Sequence, residues 1–212
     1  MQYFTPFTIF WLCFMAVFVV IRVRLYTYYN PSGPKDPYVK KRMMNMLDKF
    51  CQRTGSCLVD GITVNYKGHP VQLDTVVFTS AGVLYVTLMD SVGNYYGQPL
   101  QDEWSLVYKD GKREHFANPL KKGARDCEII RRLCAQEGVI QMEMTQVVIF
   151  GGGKSSKLFM PSRLDLLPVS KFESFLKYYT QKSRGILDPQ EGMRALRSKE
   201  ITAAPAEPAQ AE

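Results

Sequence analysis

Residues 72–97, QLDTVVFTSAGVLYVTLMDSVGNYYG, read as two strands folded back on each other. Apolar and β-branched residues dominate VQLDTVVFT and GVLYVTLMD, and Ser80-Ala81-Gly82 between them supplies a short turn. The first strand carries one carboxylate, Asp74. In the second, residues two apart share a face of the sheet, so Thr87 and Met89 stand together and Asp90 faces the other way. What the hairpin can do chemically depends on those few side chains. Thr87 is a weak neutral ligand, and Met89 offers neither proton nor charge.

Helices and further strands extend from this hairpin in both directions. Val39, Met43, Met46, Leu47 and Phe50 recur at helical spacing and predict an amphipathic helix ending near Gly55. Cys57–Tyr66 reads as a strand, as does Trp104–Tyr108, with Asp110-Gly111 as the following hairpin turn. Asn118-Pro119 caps a helix over Leu120–Glu137 whose inward stripe is Ala124, Cys127, Ile130 and Cys134. Residues 145–150, TQVVIF, form a buried strand, and Ser170–Tyr179 a short helix. This order implies an α/β layer sandwich.

The N-terminus suggests a membrane. Tyr3 to Ile21 contains no charged residue over a length able to cross the hydrocarbon core as a helix. Arg22, Arg24, Lys35, Lys40, Lys41 and Arg42 follow it, and no basic side chain precedes it. The positive-inside rule then places the N-terminus outside and the rest in the cytoplasm. A cleavable signal peptide would need a basic start and a small-x-small site, and neither is present. Tyr26, Tyr28 and Tyr29 stand where an interfacial aromatic belt would lie. The expected organisation is therefore a single-pass anchor over 1–24, a Pro/Gly linker over 25–37, one domain over 38–197 and a low-complexity, disordered tail over 198–212.

Composition restricts the chemistry. A net charge of +7 points to an anionic partner surface, phosphate or lipid, although a merely basic domain carries the same number. Cys13, Cys51, Cys57, Cys127 and Cys134 form no CxxC pair, so no zinc site is expected, and the odd count fits reduced thiols.

In order and spacing, Asp74 and the apolar run after it, Gly82, the Gly93/Gly97 pair, Trp104, Phe116, Asn118-Pro119, the strand VVIF and the segment ILDPQEGMRAL resemble the nuclease-related domain (NERD) family. That family is a branch of the restriction-endonuclease-like PD-(D/E)XK superfamily, and the resemblance covers roughly 38–197. It implies a mixed sheet flanked by helices and a Mg²⁺-dependent phosphodiester hydrolysis in which carboxylates hold the cation and a lysine assists. Carried onto this chain, the family's second-strand acid and lysine fall at Thr87 and Met89. Its glutamate before the aspartate falls at Gln72, and its first-helix glutamate at Lys40. Asp74 alone persists, which implies a non-catalytic binding or scaffolding module without a metal or other cofactor. The alternative is a nuclease whose residues have moved, with Lys67, Lys109 or Lys154 entering the cleft and Asp90 recruited.

Two basic features extend the site. Gly151–Ser156, GGGKSS, follows a strand but lacks the glycine and helix of a phosphate loop, so it reads as a flexible loop whose amides and Lys154 can still meet a phosphate. Lys121, Lys122, Arg125, Arg131 and Arg132 line the long helix, with Asp126 and Glu128 between them. They read either as a solvated face or as phosphate contacts, with Lys121, Lys122, Arg125 and Lys154 as the candidates. The expected partners are a lipid bilayer touched by Arg22, Arg24 and Lys40–Arg42, DNA or another nucleic acid, or a protein.

Overall fold

Alternating β-branched segments and amphipathic helices assemble into layers in a computed structural model, which describes residues 6–29, 35–161, 163–181 and 187–201. Helices α1 (Pro6–Tyr29) and α2 (Val39–Thr54) are followed by eight strands. These are β1 (Cys57–Asp60), β2 (Thr63–Tyr66), β3 (His69–Gln72), β4 (Thr75–Thr79), β5 (Gly82–Met89), β6 (Asn94–Tyr96), β7 (Glu103–Val107) and β8 (Arg113–Ala117). Helix α3 (Pro119–Gln136), β9 (Met144–Phe150), β10 (Lys157–Phe159), β11 (Leu166–Pro168), α4 (Val169–Gln181) and α5 (Pro189–Arg197) complete the order.

The central sheet runs β1-β4-β5-β9-β11. Its first two pairings are antiparallel and its last two parallel, so the sheet is mixed. Helices α2 and α4 cover one face, where Val39, Met43, Leu47, Phe50, Phe172 and Leu176 meet Val77, Leu84 and Val86. Helices α3 and α5 cover the other, packing Cys127, Ile130, Leu133, Cys134 and Leu196 against Val76, Phe78 and Tyr85. Burial on both faces explains why β4 is buried at every position, with no polar alternation. Full burial of each large apolar side chain contributes roughly 1.5–3 kcal/mol. This mixed, helix-flanked sheet is consistent with a restriction-endonuclease-like arrangement.

A second sheet, β10-β6-β7-β8, packs its inner face onto Leu120, Val148, Phe150 and Leu166 through Tyr95, Trp104 and Leu106. The segment expected as one strand over Cys57–Tyr66 is broken at Gly61 into β1 and β2, because β2 turns away to pair with β3. Asp74 consequently lies just before β4, not within it. The Asn118 cap is present, its side chain accepting from Leu120 N at 2.9 Å. All five cysteines are free thiols.

The membrane anchor is corrected. Among the described residues, no helix is long and apolar enough to cross a membrane. Within the described part of α1 the uncharged run is residues 6–21, ended by Arg22. That leaves about 16 residues, or about 24 Å at 1.5 Å per residue, against a hydrocarbon core of about 30 Å. The transmembrane placement and the outside/cytoplasmic orientation built on it are withdrawn with it. Residues 30–34 of the expected linker, residues 202–212 of the expected tail and the side chains of Tyr26, Tyr28 and Tyr29 lie outside the described residues.

Close approach requires glycine at Gly82 and Gly192, among others. Gly82 has φ +137°, and a Cβ there would overlap the carbonyl oxygen of Glu143; at Gly192 it would overlap the ring of Phe78. Gly82→Ala is expected to destabilise the protein by about 2 kcal/mol, read as a lower denaturant midpoint with an unchanged slope. An unaltered midpoint would contradict this backbone geometry.

Candidate functional site

Where β1 and β5 end and β4 begins, the central sheet opens into a cleft of about 380 Å³. Asp36, Asp60, Asp74 and Asp90 line it, together with Lys40 and Gln72. Strand pairing gathers these acids. Asp60 lies opposite Thr75, one residue past Asp74, and Asp90 follows the last residue of β5.

Among the described residues, each of the four carboxylates is met by a basic side chain. Asp36 is buried against Arg42 and also accepts from Gly152 N at 3.0 Å. Asp60 pairs with Lys40 at 2.9 Å and accepts from Thr75 Oγ1 at 2.7 Å. Burial alone would raise the Asp60 carboxyl, but the bonds from Lys40 and Thr75 and the Lys40 charge outweigh it and hold the group below its ordinary value. Asp90 has the loosest partner, exposed Lys35 at 3.7 Å. Asp74 Oδ2 accepts from Thr87 Oγ1 at 2.9 Å and from Lys122 Nζ at 3.0 Å.

Lys122 joins Asp74 to the layer behind it. Its ammonium also donates to Asp126 Oδ2 at 2.8 Å and to Tyr85 OH at 3.2 Å. Asp126 is fully buried one turn along α3 and accepts from Tyr85 OH at 2.8 Å. Its Oδ1 has no hydrogen-bond partner, and Arg125 Nε stands 3.5 Å away. Burial pushes the Tyr85 phenol well up; the Asp74 and Asp126 charges add to this, although a bond with the Asp74 backbone opposes it. For Lys122, burial acts to lower the pKa, but its bonds to Asp126 and Asp74 and their charges prevail and raise it.

The residues named from the sequence are distributed as follows. Thr87 and Asp74 meet directly, whereas half-buried Met89 packs into the core beneath the second sheet. Lys122 arrives at Asp74 from α3, a meeting that a separation of 48 positions hides from sequence reading. Only the Lys122–Asp126 spacing of four along a helix was legible. Lys121 pairs with exposed Asp102 at 2.7 Å. Arg125 and Arg132 line a separate groove of about 590 Å³ with Tyr66, Lys67 and His69. Lys67 therefore stays outside the cleft, and Lys109 reaches Ser155 instead, at 3.5 Å. The glycine loop leads into a single 3-10 turn and then β10, and one of its amides is committed to Asp36. The Lys154 side chain lies outside the described residues.

A divalent cation does not fit this donor set. Mg²⁺ needs oxygens at about 2.0–2.1 Å in near-octahedral order. Here one oxygen of each of Asp74 and Asp126 already faces an ammonium and a hydroxyl. Among the described residues, no group of three or more His, Cys, Asp or Glu is placed to hold a metal ion. Replacing Lys122 by Met leaves buried Asp126 with only the more distant Arg125 guanidinium, and a loss of about 3 kcal/mol is expected in denaturant unfolding. Because the Lys122 pKa is raised on folding, its contribution is complete below the ordinary lysine value of 10.5 and fades as pH rises above it. Lys122→Met should flatten that alkaline decline, and an unchanged alkaline limb would contradict the assignment.

A model of the nuclease-related domain family matches residues 39–151, which span α2 through β9, the cleft and the Lys122 cluster. Searches among curated proteins and among solved structures return no match. The chain belongs to the nuclease-related domain (NERD) family.

Proposed function

We propose that this nuclease-related domain binds nucleic acid without cleaving it. One observation carries the reading: every described carboxylate lining the cleft is paired with a tethered side-chain cation, Asp90 the most loosely. A metal-dependent nuclease uses its carboxylates to hold a cation that keeps open positions for phosphate and water. An ammonium or guanidinium fills the same charge requirement and offers no such positions. Thr87 and Met89, at the positions where the family resemblance expects an acid and a lysine, support the same conclusion. Net charge of +7 and the basic groove beside α3 support an anionic partner.

A second reading has a specific observation in its favour. Lys122 stands 3.0 Å from Asp74, the juxtaposition of acid and lysine that phosphodiester hydrolysis uses, supplied from a helix. Against it, the ammonium is already shared with Asp126 and Tyr85.

Incubating the full chain with supercoiled plasmid and Mg²⁺ or Mn²⁺ separates the two. No nicking above the metal-only control is expected. Nicking that disappears in both Asp74→Ala and Lys122→Met would establish a nuclease with a relocated lysine and overturn the non-catalytic reading.

A further inference from the structure

The second sheet turns a row of four cross-strand neighbours away from the core. Phe159 on β10 lies beside Tyr96 on β6, Tyr96 beside Ser105 on β7, and Ser105 beside His115 on β8. Their sequence neighbours Leu158, Tyr95, Leu106 and Trp104 point inward into the core cluster, so this row occupies the outer face. Tyr96 is 39% and Phe159 50% exposed. Their rings stack on each other with centroids 4.8 Å apart and planes within 8° of parallel. Each ring covers one face of the other, and the outer faces of this half-exposed stack can extend it by a third ring.

Beside the pair lies a groove of about 610 Å³. Its walls include Gln98, Glu103, Ser105 and His115, and Ser105 Oγ and His115 Nδ1 are 3.2 Å apart. Donors and acceptors are thus mixed along its edge, as a planar heterocycle with both kinds of group requires. The loop that forms the wall is anchored: Asn118 Nδ2 donates to the carbonyls of Pro99 and Gln101, and Trp104 Nε1 to that of Gln98. The next row on the same outer face, about 7 Å along the strands, holds Lys157, Asn94, Val107 and Arg113. Its two cations, Lys157 and Arg113, are exposed at opposite edges of the sheet.

We infer that the outer face of β10-β6-β7-β8 is a platform for single-stranded nucleic acid. Tyr96 and Phe159 stack unpaired bases, the Ser105–His115 groove meets a base edge, and Lys157 and Arg113 take the phosphates. A duplex hides its base faces, so the stacking rings select an unpaired strand. The platform lies on a different sheet from the Asp74 cleft and does not use its residues. The inference rests on the nucleic-acid reading proposed above and gives it a location and a strand preference.

The test uses the full chain, short fluorescein-labelled oligo-dT and oligo-rU strands, and a matched duplex, with binding read by anisotropy at several salt concentrations. A strand carrying 2-aminopurine adds a stacking signal, since its emission is quenched on an aromatic face. Wild type should bind the single strands in preference to the duplex and quench the probe. Tyr96→Ala with Phe159→Ala should weaken binding about tenfold to a hundredfold and abolish quenching. Tyr96→Phe should retain both, and circular dichroism establishes that each variant is folded. Lys157→Ala with Arg113→Ala should flatten the salt dependence. Wild-type affinity in the double-alanine variant would overturn the platform while leaving nucleic-acid binding intact at another surface. An absence of binding by wild type to any strand or duplex would overturn the nucleic-acid reading, and the platform with it.

Discussion

The Lys122 ammonium, set among Asp74, Asp126 and Tyr85, ties the cleft to the core behind it. Asp126 is fully buried, and a buried carboxylate deprived of its cation costs several kcal/mol. The lysine is therefore fixed from behind, whatever happens at Asp74. Its position follows from the register of α3, whose start is set by the Asn118 cap and whose inner stripe packs on β4 and β5. Tyr85 completes the contact: it lies in the middle of β5, two residues before Thr87 on the same face. Sheet, helix and cleft are thus linked through one charge.

That arrangement bears directly on chemistry. In a nuclease of this architecture the carboxylates hold a mobile divalent cation that brings water and phosphate together. Here the same end of the sheet carries carboxylates, but the cations that balance them belong to Lys40, Arg42, Lys122 and, more loosely, Lys35. These tethered cations pair with carboxylates at the strand ends of the cleft. The backbone framework of the family is retained, while the electrostatics serve the fold.

Local features were the most legible in the sequence. The turn at Gly82, the α2 stripe, the Asn118 cap and the buried strand TQVVIF all follow from spacing within a few residues. Long-range pairing was less so. Nothing local indicates that β2 leaves the central sheet for β3, and that departure places Asp74 at a strand end. Of the second sheet the sequence shows β7 and the Asp110-Gly111 turn to β8, but not their assembly with β6 and β10, which are short and, for β10, follow the glycine loop. Lys122 was singled out as a phosphate contact because exposure along α3 was inferred from charge alone; its partner lies 48 positions away. The anchor is corrected because no helix among the described residues is long and apolar enough to cross a membrane. Family resemblance supplied the frame in which Thr87 and Met89 acquire meaning, and the matching family model covers the same segment.

The central claim is that fixed side-chain cations occupy the electrostatic role of a metal in the Asp74 cleft. Titrating the full chain with Mn²⁺ and counting bound ions by electron paramagnetic resonance tests it most directly. No stoichiometric binding to wild type at millimolar Mn²⁺ is the expected result. One tightly bound ion that disappears in Asp74→Ala would contradict the claim.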